Sequence, residues 1–473
     1  MTDERTRVWI VADLGFGDSG KGTITDYLVR TRSAELVVRW NGGAQAGHTV
    51  VTEDGRAHVF SQLGAGTFVP GVRTHLAEPF VLHPTALLVE ARLLAETGIP
   101  IEDTLARLTI AESALVITPF HQATNRLREL ARGAARHGTC GVGVGETVRD
   151  ALASGPDAIR ARDLVGDRVT LLRKLSATRE RLLASLAPSS GAPSRHDELV
   201  SLEPSVPSRT GAPSAAEELA ILRDPSVSER WIDAVEALRA RRGLVVPDDA
   251  LGAMLRAGPT VLEGAQGVLL DERHGFHPHT TWSDCTTAAA SALLRRHGVD
   301  DGIERIGVLR TYLTRHGEGP FPSEAPALAA HLPEPHNASD GWQGAFRVGH
   351  QDMVLLRYAL RVSGGVDVLA LTHTDRLAAV SSLVTAYEGA ADATLFMHDA
   401  HGRAIDLYPQ QEEADQERLG RALRDVRVVR AHVAPDAESF AARITEELGV
   451  PVAITSAGPT AADKREPTRR PAR

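Results

Sequence analysis

Short apolar, β-branched runs recur along this chain and alternate with stretches whose apolar residues return every three or four positions. Val8-Trp-Ile-Val-Ala12, Leu36-Val-Val-Arg-Trp40, Thr260-Val-Leu-Glu263, Val366-Asp-Val-Leu-Ala-Leu371 and Val452-Ala-Ile-Thr455 read as strands, and residues 24–29 open an amphipathic stretch. The sharpest helix signal covers 84–97. Pro84 suits a first turn, Leu87, Ala91 and Leu94 share one face, and Gly98 with Pro100 stops the pattern. The alternation predicts an α/β fold with a large, mostly parallel central sheet and crossover helices. Ligands of such sheets sit beyond the carboxyl ends of strands, so the loops after the apolar runs are where chemistry is expected.

The periodicity fails between 187 and 213, where Ser, Pro, Gly and Ala dominate. This segment is expected to be a flexible insertion in a single domain spanning 1–460. The basic, proline-containing stretch 461–473 is expected to be a frayed tail. Hydrophobic residues at 42% and charged residues at 24% suit a soluble globular protein, and with aromatics at 4% the interior falls to Leu, Val and Ala. A net charge of −9 argues against a nucleic-acid partner. Two cysteines, Cys140 and Cys285, are too few for a disulfide framework and suit a reducing compartment, so a cytoplasmic location is expected. Neither a signal peptide nor a membrane span is expected from the apolar runs.

The first strand leads into Gly15-Phe-Gly-Asp-Ser-Gly-Lys-Gly-Thr23, and the amphipathic stretch follows it. Strand, glycine-rich loop, helix is the order of a phosphate site, in which backbone N–H groups curl around an anion and Lys21 adds charge. Gly22, however, occupies the position where a phosphate loop carries its magnesium-binding hydroxyl, and Asp18 is an unusual acid inside the loop.

Those departures fit another pattern. Gly17-Asp-Ser-Gly-Lys-Gly22 with Ala46-Gly-His-Thr49 resembles the adenylosuccinate synthetase signatures G-D-E-G-K-G-K and N-A-G-H-T. Gly138-Thr-Cys-Gly-Val-Gly-Val-Gly145, Glu263-Gly-Ala-Gln-Gly-Val-Leu-Leu-Asp271, Gly319-Pro-Phe-Pro-Ser-Glu324, Thr372-His-Thr-Asp375 and Ser456-Ala-Gly-Pro459 follow in the family's order. The resemblance implies a ligase that couples aspartate to carbon 6 of inosine monophosphate with GTP as co-substrate and Mg2+, working as a homodimer. It implies Asp18 as the base that removes the N1 proton, His48 as a donor at the phosphates, Gln266 as the oxyanion holder and Lys21 as the neutralising cation. Asp18 and the Gly47 carbonyl would hold the metal. The GTP site would comprise Gly17, Ser19, Gly20, Gly22, Thr23, Gly47 and Thr49. Its guanine end would comprise Thr372, His373, Asp375, Ser456, Gly458 and Pro459. Acceptor and amine contacts would come from Gln45, Ala46, Thr139, Cys140, Arg149, Thr281, Arg315 and Arg347.

Substitutions concentrate at the substrate end. Gln45 replaces the family's asparagine, Thr139-Cys140-Gly141 replaces Thr-Thr-Gly, and His373 replaces a lysine whose stem would cover the base. The arginine-rich loop that grips aspartate corresponds to Ser339-Asp-Gly-Trp-Gln-Gly-Ala-Phe-Arg347, where one arginine remains; Arg315 is a possible substitute. His274, His277, His279 and Cys285 also cluster in sequence, a set zinc could use, although the family frame already accounts for His274. Two further readings stand beside the default: a specialised paralogue with another purine-like acceptor or amine, and a catalytically silent nucleotide-binding regulator.

Overall fold

The computed structural model describes residues 7–133, 137–186, 214–334, 342–380 and 382–466; the expected insertion at 187–213 lies outside them. Ten strands form the central sheet: β1 (Val8–Asp13), β2 (Leu36–Arg39), β3 (Arg73–Leu76), β4 (Leu108–Ala111), β5 (Val245–Val246), β6 (Thr260–Glu263), β7 (Ile303–Arg310), β8 (Val368–Thr372), β9 (Val452–Ser456) and β10 (Lys464–Arg465). Their spatial order is 10-9-8-7-1-6-2-3-4-5. Every pairing is parallel except the last, β9 with β10.

β1 is central and buried along its whole length, which is why its sequence is an unbroken apolar run. Its side chains alternate between two cores. Trp9 and Val11 pack with Ile24 and Leu28 of helix α1 (Lys21–Thr31) on one face; Val8 and Ile10 pack with Leu251 and Leu293 on the other. The predicted helix at 84–97 runs from Pro84 to Ala95, with Leu87, Ala91 and Leu94 fully buried. Among the described residues, no helix is long and apolar enough to cross a membrane.

A second, six-stranded sheet grows from the edge of the cleft. After β7 ends at Arg310, the strand Tyr312–His316 pairs antiparallel with Phe346–Asp352, which pairs parallel with Ser382–Glu388. This turn out of the central sheet carries Arg310, Tyr312 and His316 to the ligand side. A hairpin of His48–Val51 and Ala57–Phe60 packs on α1 from the other side.

Residues 461–466 are structured where a frayed tail over 461–473 was expected, and 467–473 lie outside the described residues. Ala461–Asp463 form a 3-10 turn and β10 pairs Lys464 with Ser456. Lys464 is 4% exposed, and its ammonium donates to the carbonyls of Gly458 (3.0 Å) and Thr460 (2.8 Å) and to the Thr23 hydroxyl. Basic composition was a poor guide here because the charge is satisfied by carbonyls of the neighbouring loop. Gly458 O keeps the Ser456 hydroxyl and Thr460 O keeps the Asp463 N–H, so the loss is that of the charge-assisted bonds alone, and Lys464→Ala should lose about 1–3 kcal/mol in urea unfolding; unchanged stability would mean the tie is idle.

Candidate active site

The site begins with Asp13, the last residue of β1 and 1% exposed. Its Oδ1 accepts from the Gly15 N–H and the Ser19 hydroxyl, both at 2.8 Å. Its Oδ2 accepts from the Ser19 N–H and the Lys21 ammonium, both at 2.9 Å. One carboxylate therefore curls the loop back on its own strand. Two further contacts hold the loop's carbonyls: Thr372 Oγ1 donates to Ser19 O at 2.7 Å, and Arg310 Nε donates to Asp18 O at 2.5 Å. Arg310 is braced by Glu334 and by the Tyr312 hydroxyl, which also donates to Glu334 at 2.6 Å. Helix α1 then starts at a left-handed Gly20, φ 92°, with no side chain capping it. Its first N–H groups and the positive end of its dipole are thus available to an anion.

Gly22 has a steric reason. A Cβ there would lie 2.8 Å from His48 Cβ and 3.1 Å from the His48 carbonyl carbon, so no hydroxyl-bearing residue fits. Gly267 is held the same way, its Cβ position falling 2.2 Å from Gly15 O. These close approaches bring the phosphate loop, the His48 strand and the Gln266 loop together.

His48 Nδ1 lies 2.6 Å from Glu263 Oε1, and Glu263 Oε2 accepts from the Ala65 N–H at 3.0 Å. Burial raises the Glu263 carboxyl, but His48 and Arg39 outweigh it and hold the group below its usual range. An ionised Glu263 only accepts, so it fixes the proton on Nδ1. Burial, opposed by Glu263, lowers His48 to about 4, leaving a neutral ring whose Nε2 is buried without a partner among the described residues. In this state Nε2 is an acceptor; donation to a phosphate requires the ring to gain a proton as the anion arrives.

A cavity of about 630 Å³ connects these groups. Asp18, Lys21, His48 and Gln266 line it, as do Gly17, Gly20, Gly22, Thr23, Gln45, Ala46, Gly47 and Thr49. At its far end lie Thr372, His373, Asp375, Ser456, Gly458 and Pro459, the loops after β8 and β9. Among the described residues, the amide atoms of Gln45 and Gln266 are buried without partners. Such groups cost free energy unless a ligand completes them.

Residues 10–204 and 223–464 match the family model described as adenylosuccinate synthetase. The chain belongs to the adenylosuccinate synthetase family. It is 31% identical to the adenylosuccinate synthetase of Chlorobium limicola, with 95% of each chain covered, and 31% identical to that of Myxococcus xanthus, with 95% and 96% covered. Among structures, it is similar to fully ligated adenylosuccinate synthetase from Plasmodium falciparum, at TM-score 0.69 and 20% identity over 97% and 99% of the chains. It is also similar to the succinoaminodeoxyadenylate synthetase of cyanophage S-2L, at TM-score 0.51 and 17% identity over 98% and 95%. Members of this family are C–N ligases.

Several residues that adenylosuccinate synthetase motifs assign to the site stand off the cavity wall. Ser19 is one, turned inward to Asp13. Thr139 is bonded to Asn125 at 3.1 Å; Cys140 is on the same loop, its thiol raised by burial. Arg149 pairs with Glu146 at 2.9 Å and lies over Trp282, and the Thr281 N–H donates to the carbonyl of Leu270, a lining residue. Arg315 is buried over the Phe16 ring, its guanidinium donating to the carbonyls of Glu318, Pro320 and His279. Arg347 pairs with Glu324 and donates to Gly317 O and Gly319 O. In this arrangement both arginines tie loops behind the cavity rather than line it. The histidine cluster also turns to backbone: His277 Nε2 meets Glu272 O at 2.8 Å and His279 Nδ1 meets His137 O at 3.4 Å.

Lining residues that motif reading missed are Arg310, Tyr312, His316, Glu334, Gln343 and Arg376. His316 Nε2 lies 3.4 Å from Asp18 Oδ2. Asp13 had a sequence signal, a lone acid ending an apolar run just before the glycines; the others lie far along the chain from the loop they serve.

Removing the Asp13 charge leaves Lys21 buried and unpaired. Asp13→Asn should cost about 3–5 kcal/mol in chemical unfolding and abolish nucleotide binding by calorimetry. Wild-type stability with wild-type binding would refute the role assigned to this carboxylate.

Proposed function

We propose that this protein is a GTP-dependent ligase that phosphorylates the 6-oxygen of a purine nucleotide and displaces the phosphate with an amine. The default pair is inosine monophosphate and L-aspartate, giving adenylosuccinate, GDP and phosphate. One observation carries the reading: the Asp18 carboxylate, the unpartnered His48 Nε2 and the unpartnered Gln266 amide meet in one cavity with the uncapped N-terminus of α1.

A 6-oxopurine is amide-like and a poor electrophile, so its oxygen has to become a leaving group. Asp18 takes the N1 proton, and the resulting 6-oxyanion attacks the γ-phosphate of GTP, releasing GDP. The donor amine then adds at carbon 6 and inorganic phosphate leaves. Gln266 donates to the developing oxyanion, while Lys21 and the α1 N-terminus stabilise the phosphates. His48, charged as the phosphates arrive, hydrogen-bonds to them. The Asp18 carboxylate and the exposed Gly47 carbonyl are hard oxygen donors that fit Mg2+, which would supply charge neutralisation for phosphoryl transfer. We read the enzyme as cytoplasmic and homodimeric.

A second reading keeps the activation step and changes a substrate. It is supported by Arg315 and Arg347 being engaged with carbonyls and Glu324 rather than facing the cavity, since a dicarboxylate calls for charge-assisted donors. The cyanophage synthetase of similar fold is bound to dGMP and to dATP as an energy donor.

Phosphate release separates the readings. With inosine monophosphate and GTP, release that rises when aspartate is added supports the default. Release indifferent to aspartate but stimulated by another amine supports the second. Asp18→Ala should bind GTP and release no phosphate; if wild type is equally silent with every purine and amine screened, the protein is a binder and the enzyme reading is wrong.

A further inference from the structure

The cavity's far end holds an ion pair that no motif anticipates. The 3-10 turn Thr374–Ala379 follows β8, and on it Arg376 Nε lies 2.9 Å from Asp375 Oδ2. Both residues line the cavity, with side chains 39% and 35% exposed. The turn is tied to its surroundings: Thr374 Oγ1 donates to Ser456 O at 3.0 Å, the Arg376 N–H donates to His373 O at 3.0 Å, and neighbouring Thr372 bonds to the phosphate loop. His373 beside it is held well below its usual pKa by burial first, then by Arg310, Arg376 and Lys464, so its ring is uncharged. It meets the Tyr312 ring edge-on at 5.6 Å.

We propose that Arg376 is a specificity-determining residue that reads the 6-oxo edge of the guanine base, working as a pair with Asp375. The inference rests on the GTP reading above. Guanine presents two adjacent N–H donors, N1 and N2, beside an acceptor, O6, with N7 further round. A carboxylate satisfies only the donors. The O6 acceptor, once out of water, would be left without a partner unless a donor stands beside that carboxylate. Arg376 supplies it: the ion pair runs through Nε, and among the described residues neither terminal nitrogen has a protein acceptor. Those nitrogens are the donors that reach guanine O6. Adenine inverts both positions. Its 6-amino group would face the guanidinium and its N1 lone pair would face the carboxylate, so the pair rejects it as well as accepting guanine.

Calorimetric titration of the full-length protein with four diphosphates tests this. GDP and inosine diphosphate carry O6; 2-aminopurine riboside diphosphate lacks both O6 and the N1 proton; ADP carries the inverted edge. Arg376→Ala and Arg376→Gln should each weaken GDP and inosine diphosphate by about 10- to 100-fold and leave 2-aminopurine riboside diphosphate unchanged. The unchanged ligand also reports that the variants are folded. An equal loss for all ligands would assign Arg376 to phosphate binding or structure and overturn the proposal. So would a wild type that prefers GDP to ADP alongside variants with unaltered GDP affinity, which spares the GTP reading. A wild type that binds ADP as tightly as GDP would contradict both.

Discussion

The site depends on one buried carboxylate. Asp13 ends the central strand, where a charge has no business unless its partners are within reach, and it takes them from the loop that follows. Four hydrogen bonds to Gly15, Ser19 and Lys21 set where α1 begins. The direction of its free N–H groups follows from that. Lys21 lies under the phosphate position already neutralised, so an incoming anion competes with Asp13 for a cation held 2.9 Å away. The loop is made in advance of its ligand rather than by it, which lowers the ordering cost of binding.

Strain is concentrated in the same place. Among the described residues four non-glycine residues have positive φ, and three of them, Asp18 (58°), Gln266 (55°) and His373 (59°), line the cavity. Each left-handed conformation costs on the order of 1 kcal/mol or more and persists only where neighbours enforce it. For Asp18 the enforcer is Arg310 on its carbonyl; for Gln266 it is the close packing of Gly267 against Gly15 O. Asp18, Gln266 and His373, the proposed base, oxyanion holder and flank of the nucleobase end, are therefore aimed by backbone, while Glu263 aims His48 through its ring.

Much of this was legible in the residues. The apolar runs marked five of the ten central strands. The glycine-rich loop, with His48 and Gln266, named the groups that meet in the cavity. What escaped has a common cause. β3 and β4, Arg73–Leu76 and Leu108–Ala111, are too short and mixed to announce themselves, and the six-stranded sheet alternates apolar with polar positions without turn signals strong enough to fix it. Arg310 acts on the Asp18 carbonyl 292 positions away and Glu334 on Arg310 across 24, separations that no local pattern encodes, while Arg376, beside Asp375, carries no motif of its own. Ser19 reads as a nucleotide contact because it stands inside the motif, yet the Asp13 carboxylate turns it inward. Arg315 reads as a free cation because periodicity cannot show that three carbonyls and the Phe16 ring already hold it.

In the proposed reaction Asp18 makes a purine oxygen attack GTP before any amine takes part. Positional isotope exchange tests it directly: GTP labelled with oxygen-18 in the β,γ bridge is incubated with the enzyme and the purine acceptor, with no amine present. Reversible formation of a 6-phosphoryl intermediate predicts that the label scrambles into the β-nonbridging positions, only when acceptor is present, and that Asp18→Asn abolishes it. Scrambling at the wild-type rate in Asp18→Asn, or no scrambling by a wild type that turns over once the amine is added, would contradict the account.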